Sequence, residues 1–283
     1  MNQNIKLNID YPYLVIDNFF EKKDYKSVKK TFLDTINSLN DENYYNEYLT
    51  LKNKVLDFDP IKILGGGHDR QSRDLILKIF KNNEIFLSIL NYFQSENFSN
   101  YIWKKFKNSK DVKKYLGLRS PRLIEPDQKI SLFEYLFYKN YYINFKISRY
   151  TGNAGIGIHK DNNHKIMAFF VYFGYSDNLS RESGGTQLYF QNNNDSDFRD
   201  HAYIEHQDMT LLDDVFPVDN RMMVFFRSEK SWHGVTPPNK KLPLGVTRDA
   251  LQINFMKCTQ YKGFMYYLSR LNIFLRKTIK IYR

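Results

Sequence analysis

Two short stretches of this chain carry residue types able to hold a metal ion. Ile158-His159-Lys160-Asp161 sets an imidazole and a carboxylate two positions apart, and 72 residues beyond Asp161 a second imidazole stands in Ser231-Trp232-His233-Gly234-Val235. On extended backbone, side chains repeat every two residues, so His159 and Asp161 are expected on one side of the segment. Two imidazoles and one carboxylate on a single facet leave the remaining coordination positions open, which is the donor set associated with non-haem Fe(II). Arg248 follows 15 residues after His233, in the β-rich run VTRDALQINF.

A His-x-Asp pair alone is weak ground, because such pairs commonly form surface ion pairs or hydrogen-bonded turns. His164, three residues past Asp161, offers a His-Asp-His zinc cluster as an alternative, but a solvent-facing loop histidine is the better reading. His68, His201 and His206 have no partners at ligand spacing. No glutamate is placed to act as general base after the histidines, which counts against a zinc hydrolase.

Taken together, these segments resemble the 2-oxoglutarate/Fe(II)-dependent dioxygenases, and within them the prolyl hydroxylase-like branch. The resemblance covers roughly residues 143–256. It rests on Tyr150 with Gly152-Asn153 and Gly155 before the His-x-Asp step, Val171-Tyr172-Phe173, Gly184-Gly185-Thr186, the strand Arg221 to Phe226, and Trp232-His233-Gly234-Val235 followed by Arg248. It implies Fe(II) held by His159, Asp161 and His233, with 2-oxoglutarate and O2 as cosubstrates and ascorbate as an accessory reductant. It also implies that Arg248 anchors the distal carboxylate of 2-oxoglutarate, a two-pronged match that lysine lacks. Tyr150 matches a tyrosine near the cosubstrate's metal-binding end, and Tyr172 one that helps hold its distal carboxylate. Family members that halogenate replace the carboxylate ligand with a small residue, so Asp161 favours hydroxylation. Substrate choice, whether a prolyl or other protein side chain, a small molecule or a sugar, is not readable from these motifs.

Elements able to position such a site follow from periodicity. Short β-rich runs are expected at about 143–150, 166–173, 186–190, 209–212, 222–227, 232–236 and 246–256, spaced as in a double-sheet jelly roll. Ahead of them, Tyr13 to Ile16 reads as a strand and Glu21 to Leu39 as a helix. Two or three helices are expected within Gln71 to Phe106, and another over Ile130 to Tyr138. Leu64-Gly65-Gly66-Gly67-His68 reads as a loop, and without a following Gly-Lys-Ser/Thr it is no phosphate-binding P-loop. The expected class is α+β: a double-stranded β-helix (jelly-roll) core over 141–257, a mainly helical region over 1–140 packing on it, and a C-terminal helix over 258–283.

With 283 residues, 42% of them hydrophobic, the chain can bury a sizeable core. Its single cysteine, Cys258, excludes an internal disulfide framework and fits a reducing compartment. No stretch near the N-terminus is long and apolar enough for a signal peptide or a membrane span, so a cytoplasmic location is expected. The formal charge of +11 is concentrated at the end, where Ala250 to Arg283 holds seven basic residues and no acidic one. As a helix, residues 264–283 would carry Phe264, Leu268, Leu271 and Leu275 on one stripe and the basic residues opposite. That stripe suits docking on the N-terminal helices, or peripheral contact with the anionic inner face of a membrane. Lysine pairs such as Lys104-Lys105 and Lys113-Lys114 fit solvated helix faces better than a nucleic-acid surface, since no nucleic-acid motif accompanies them. Besides the oxygenase, two functions of other classes stay open: a non-catalytic jelly-roll binding module with a basic surface, and a zinc-dependent hydrolase.

Overall fold

The computed structural model describes residues 5–38, 61–65, 83–151, 156–175, 185–191, 209–235 and 247–263. Within them lie strands β1 (Ile5–Asn8), β2 (Tyr13–Ile16) and β3 (Ile61–Gly65), with helix α1 (Lys22–Ser38) between the last two. Helices α2 (Glu84–Phe93), α3 (Glu96–Phe106) and α4 (Lys110–Leu116) lead to β4 (Ser120–Leu123) and α5 (Leu132–Phe137). Then come β5 (Tyr138–Thr151), β6 (Ile156–His159), β7 (Lys165–Tyr175), β8 (Thr186–Gln191), β9 (Met209–Val215), β10 (Arg221–Phe226), β11 (Trp232–Val235) and β12 (Thr247–Lys257).

These strands form two sheets. The larger runs β1-β2-β10-β7-β12-β5-β3, with β4 also paired to β5, and the smaller runs β6-β11-β8-β9. Four strands of the larger sheet, β10-β7-β12-β5, together with the smaller sheet make the double-stranded β-helix core. Alternation along the strands decides what each face meets. On β7, Phe169, Val171 and Phe173 join the cluster shared with the helices, while Ala168, Phe170 and Tyr172 belong to the cluster between the sheets. Likewise Leu251, Ile253 and Phe255 of β12 face the helices and Ala250 faces the smaller sheet.

Helices α2 and α3 form where a capped start meets apolar spacing of three and four. Asn83 caps α2 by accepting from the Phe86 amide at 2.9 Å, and Phe86, Leu90 and Phe93 then line one buried stripe. Ser95 caps α3 in the same way through Phe98, whose ring lies 5.5 Å from that of Phe169 on the sheet. From α1, Phe32 stacks on Phe173 at 4.0 Å. Each such buried aromatic stabilises the helix layer by about 1.5–3 kcal/mol. The layer therefore braces the outer face of the larger sheet and leaves its inner face to the site. Among the described residues no helix is long and apolar enough to cross a membrane.

One expectation needs correction. Residues 1–140, expected to be mainly helical after a strand at Tyr13 to Ile16, also supply sheet strands: β1 and β2 extend one edge of the larger sheet and β3 and β4 pair with β5, which itself starts at Tyr138. Leu64 and Gly65, expected in a loop, end strand β3 opposite Ile147 and Lys146. The short Ile61 to Leu64 run lacks the length to announce a strand by itself, and it is the long partner β5 that makes it one. The helix expected over 264–283 lies outside the described residues, as do Leu75 to Phe80 of the expected helical stretch.

Candidate metal centre

Strands β6 and β11 run antiparallel with His159 and His233 directly opposite. Paired positions project to the same face, and the two imidazole rings lie 4.4 Å apart between centroids. The Nδ1 atoms sit 2.8 Å from the Gly157 carbonyl for His159 and 3.1 Å from the Ser231 carbonyl for His233. A carbonyl oxygen can only accept, so each Nδ1 carries the proton and each Nε2 holds the lone pair, the tautomer a metal ligand needs.

Asp161 arrives by a different route from the one its spacing suggests. Strand β6 stops at His159, and Asp161 lies two residues beyond it, just ahead of a turn in which the Lys165 amide donates to the Asn162 carbonyl at 3.0 Å. Asp161 is held there by Lys165 at the start of β7 and by Arg227 just past the end of β10. Arg227 Nε donates to the Asp161 carbonyl oxygen at 3.2 Å, and Lys165 Nζ pairs with Oδ1 at 2.5 Å. The other oxygen, Oδ2, faces His233 Nε2 at 3.8 Å and is buried with no hydrogen-bond partner among the described residues. One ligand atom from each of His159, Asp161 and His233 falls within 4.8 Å of the others. An uncompensated buried carboxylate oxygen beside two imidazole lone pairs is costly unless a cation fills the gap, so this donor set fits a divalent metal. His164 is not part of the group.

Electrostatics set the same protonation states. Burial opposes ionisation of Asp161, yet the Lys165 ammonium and the neighbouring imidazoles hold its carboxyl well below the usual range. Burial pushes the His233 imidazole down to about 4, against the pull of Asp161, so it is neutral at physiological pH. The ligand strand is fixed from both sides. Trp232 is fully buried behind it, with Lys160 Nζ 4.6 Å from the ring centroid, and the Tyr11 hydroxyl donates to the Trp232 carbonyl at 2.8 Å. Phe225, in register with Ala168 of β7, packs its ring 4.5 Å from His233.

The remaining expected residues lie along the inner face of the larger sheet. Arg248 is buried on β12, opposite Tyr150 of β5 and on the same strand face as Ala250. Across the gap, the Asp214 carboxyl is raised by burial and lowered in part by Arg248. Tyr172, fully buried, shares a 2.7 Å hydrogen bond with the hydroxyl of Thr186 on the smaller sheet. The Tyr150 backbone pairs with Arg248, while its side chain lies outside the described residues. Ser148, Gln252 and Asn254 on the β5 and β12 inner face are buried as well, and Gln252 Nε2 donates to Ser148 Oγ at 3.2 Å. The inner face thus changes from apolar at β10 and β7 to polar at β12 and β5, a wall suited to a polar cosubstrate or substrate.

Against known families, the model described as the 2OG-Fe(II) oxygenase superfamily matches residues 145–256. These residues belong to that superfamily. All six of the expected site residues fall inside the match, and the matched span runs from the middle of β5 to the penultimate residue of β12. No curated protein matches the chain by sequence. Among solved structures, a Pseudomonas putida prolyl-4-hydroxylase is 13% identical over 88% of this chain and 94% of its own, with a TM-score of 0.40. HygX from Streptomyces hygroscopicus, with nickel and 2-oxoglutarate bound, is 12% identical over 89% and 85%, with a TM-score of 0.42. A putative 2OG-Fe(II) oxygenase family protein from Caulobacter crescentus is 10% identical over 89% and 79%, with a TM-score of 0.48. For a 2OG-Fe(II) oxygenase the cofactors are iron and 2-oxoglutarate, and the His-Asp-His donor set here fits the iron.

Three contributors to this oxygenase site were not identified from sequence. Lys165 and Arg227 both attend Asp161, and only the position of Lys165, four residues on, hints at it. Tyr11 reaches Trp232 from 221 positions away and leaves no local signal.

Proposed function

We propose that this oxygenase is an Fe(II)- and 2-oxoglutarate-dependent hydroxylase of an organic molecule or a protein side chain, releasing succinate and CO2. His159, Asp161 and His233 hold the iron. Arg248 receives the distal carboxylate of 2-oxoglutarate, with Tyr172 and Tyr150 contributing to the same pocket. Bound iron and 2-oxoglutarate supply the oxidising chemistry with O2, and the chain supplies placement and exclusion of water.

The observation that carries this reading is the convergence of three ligand atoms within 4.8 Å, one of them an unpartnered buried carboxylate oxygen. Lys165 keeps Asp161 ionised and turned so that Oδ2 faces the imidazoles. The Nδ1 contacts fix both rings, so the three donors need little reorganisation on binding. Arg248 suits a carboxylate because its guanidinium is planar, permanently charged and already buried on the inner wall.

The test is succinate formation from 2-oxoglutarate with Fe(II) and ascorbate, in the presence and absence of a panel of peptide, sugar and small-molecule candidates. The proposal expects iron-dependent succinate in the wild type and none in Asp161→Ala. Succinate formed equally by both proteins, or by neither with iron fully bound, would reject it.

A further inference from the structure

A cavity lies at the end of the larger sheet where β7 and β5 begin and β10 and β12 end. It has a volume of 610 Å³, large enough for a drug-sized organic ligand, and its lining brings together Lys114, Arg119, Lys139, Lys230 and Lys257, with Lys165 and Arg227 from beside Asp161. Only Asp111 and Glu229 bring negative charge to it. Glu229 is already engaged, accepting from Arg227 Nη1 at 3.0 Å.

Three of these cations, Arg119, Lys139 and Lys257, lie against aromatic faces. Lys139 Nζ lies 4.8 Å and Lys257 Nζ 5.6 Å from the centroid of the same Tyr115 ring. Arg119 lies over Tyr135 at 5.4 Å and donates to the Tyr135 carbonyl at 3.2 Å. Among the described residues neither Arg119 nor Lys139 forms an ion pair with a carboxylate, unlike Lys6 and Arg122. Burial, with Arg119 and Lys257 as neighbours, pushes the Lys139 ammonium down to about 8. Like charges collected in a half-buried hollow raise the energy of the empty protein, and an anion placed among them relieves that energy.

We propose that this cleft is a binding site for a phosphate-bearing ligand, adjoining the metal centre but distinct from its three donors. Arg119 and Lys139 are its principal contacts, and Lys257 and Lys114 add to the field. A phosphate group matches the cluster in charge and offers several acceptor oxygens to donors that come from different elements. The group can be carried by a soluble ester or by a phospholipid headgroup. Leu118 and Phe137, the chain neighbours of the lining residues Arg119 and Tyr138, are exposed and offer a lipid an apolar footing. None of His159, Asp161 and His233 lines the cleft, whereas Lys165 and Arg227, which hold Asp161, are part of its wall.

The experiment uses the full chain and two sets of probes: inorganic phosphate and glycerol phosphate followed by 31P NMR and thermal melting, and flotation with phosphatidylcholine vesicles with and without phosphatidic acid. Removing one charge-assisted contact in Lys139→Gln or Arg119→Gln is expected to weaken binding about tenfold. Lys105→Gln, on α3 outside the cleft, should bind as wild type does. Phosphate should raise the melting temperature of the wild type more than that of Lys139→Gln, a comparison that also shows the variant to be folded. Binding of the soluble probes with this pattern supports the site, and vesicle binding with the same pattern supports it with a lipid as the source. Absence of binding to every probe, or equal binding by wild type, Lys139→Gln and Arg119→Gln, overturns it.

Discussion

His159 and His233 face each other across the antiparallel pair β6 and β11, their ring centroids 4.4 Å apart. A cross-strand pair is a rigid way to bring together residues 74 positions apart in the chain, because the strand register and not a loop sets their separation. Asp161 needs separate support, and Lys165 and Arg227 provide it.

Lys165→Met tests that support. It leaves the Asp161 carboxylate buried without its ammonium partner, a change that costs about 3–5 kcal/mol when a buried pair is broken on one side. Urea unfolding of the metal-free variant should show that loss. Added Ni(II) should recover more stability in the variant than in the wild type, since the ion then becomes the main counter-charge. Equal urea midpoints for the two metal-free proteins would show that Lys165 does not hold Asp161.

The pH dependence of the metal-free protein follows from His233. Its folded-state value, about 4, lies below the ordinary 6.5, so between those values the unfolded chain binds a proton that the folded chain does not. Stability therefore falls as pH drops from 6.5 towards 4, by on the order of 3 kcal/mol in all. Below this window the depressed carboxyl of Asp161 adds a further loss as it takes up its proton. Denaturant melts with a chelator present should show the first slope in wild type and a flatter one in His233→Gln. Identical slopes would place His233 in a more solvated setting.

Much of this arrangement was legible before the structure. Strands β7, β10, β11 and β12 show as alternating or continuous apolar runs because they are buried on both faces, and Trp232-His233-Gly234-Val235 is in fact a strand. Spacing also suggested that His159 and Asp161 share a face of one strand, and here the physics differed. β6 ends at His159, and Asp161 reaches the site because the turn after it feeds β7. β1 and β3 are too short to declare themselves, and they become strands only through β2 and β5. The basic cleft was hidden for the same reason. Lys114, Arg119, Lys139 and Lys257 are scattered in sequence and meet only where four strands end beside α4.

Tyr11→Phe tests the brace on the ligand strand. The change removes a buried hydrogen bond to the Trp232 carbonyl and should cost about 1 kcal/mol, or more if that carbonyl finds no water. Because the bond holds the residue next to His233, metal affinity should fall together with stability. Calorimetric titration with Ni(II) reads the first and thermal melting the second. A loss of stability with unaltered affinity would separate β11 packing from metal binding.

Arg248→Gln and Arg248→Lys test the proposed cosubstrate anchor. Loss of a buried charged partner should raise the KM for 2-oxoglutarate on the order of a hundredfold in the glutamine variant. The lysine variant should recover part of that loss, having the charge without the fork. Iron binding should stay as in wild type, since Arg248 is not among the three converging donors. An unchanged KM in both variants would move the anchor elsewhere on the inner wall.

The most direct test of the account counts metal ions. Anaerobic titration of Fe(II) into the wild type and into His159→Ala, Asp161→Ala and His233→Ala, each checked for folding by circular dichroism, should give one bound ion per chain in the first and none at matching affinity in the other three. Full-affinity binding retained by any one of those folded variants would contradict a shared ion at His159, Asp161 and His233.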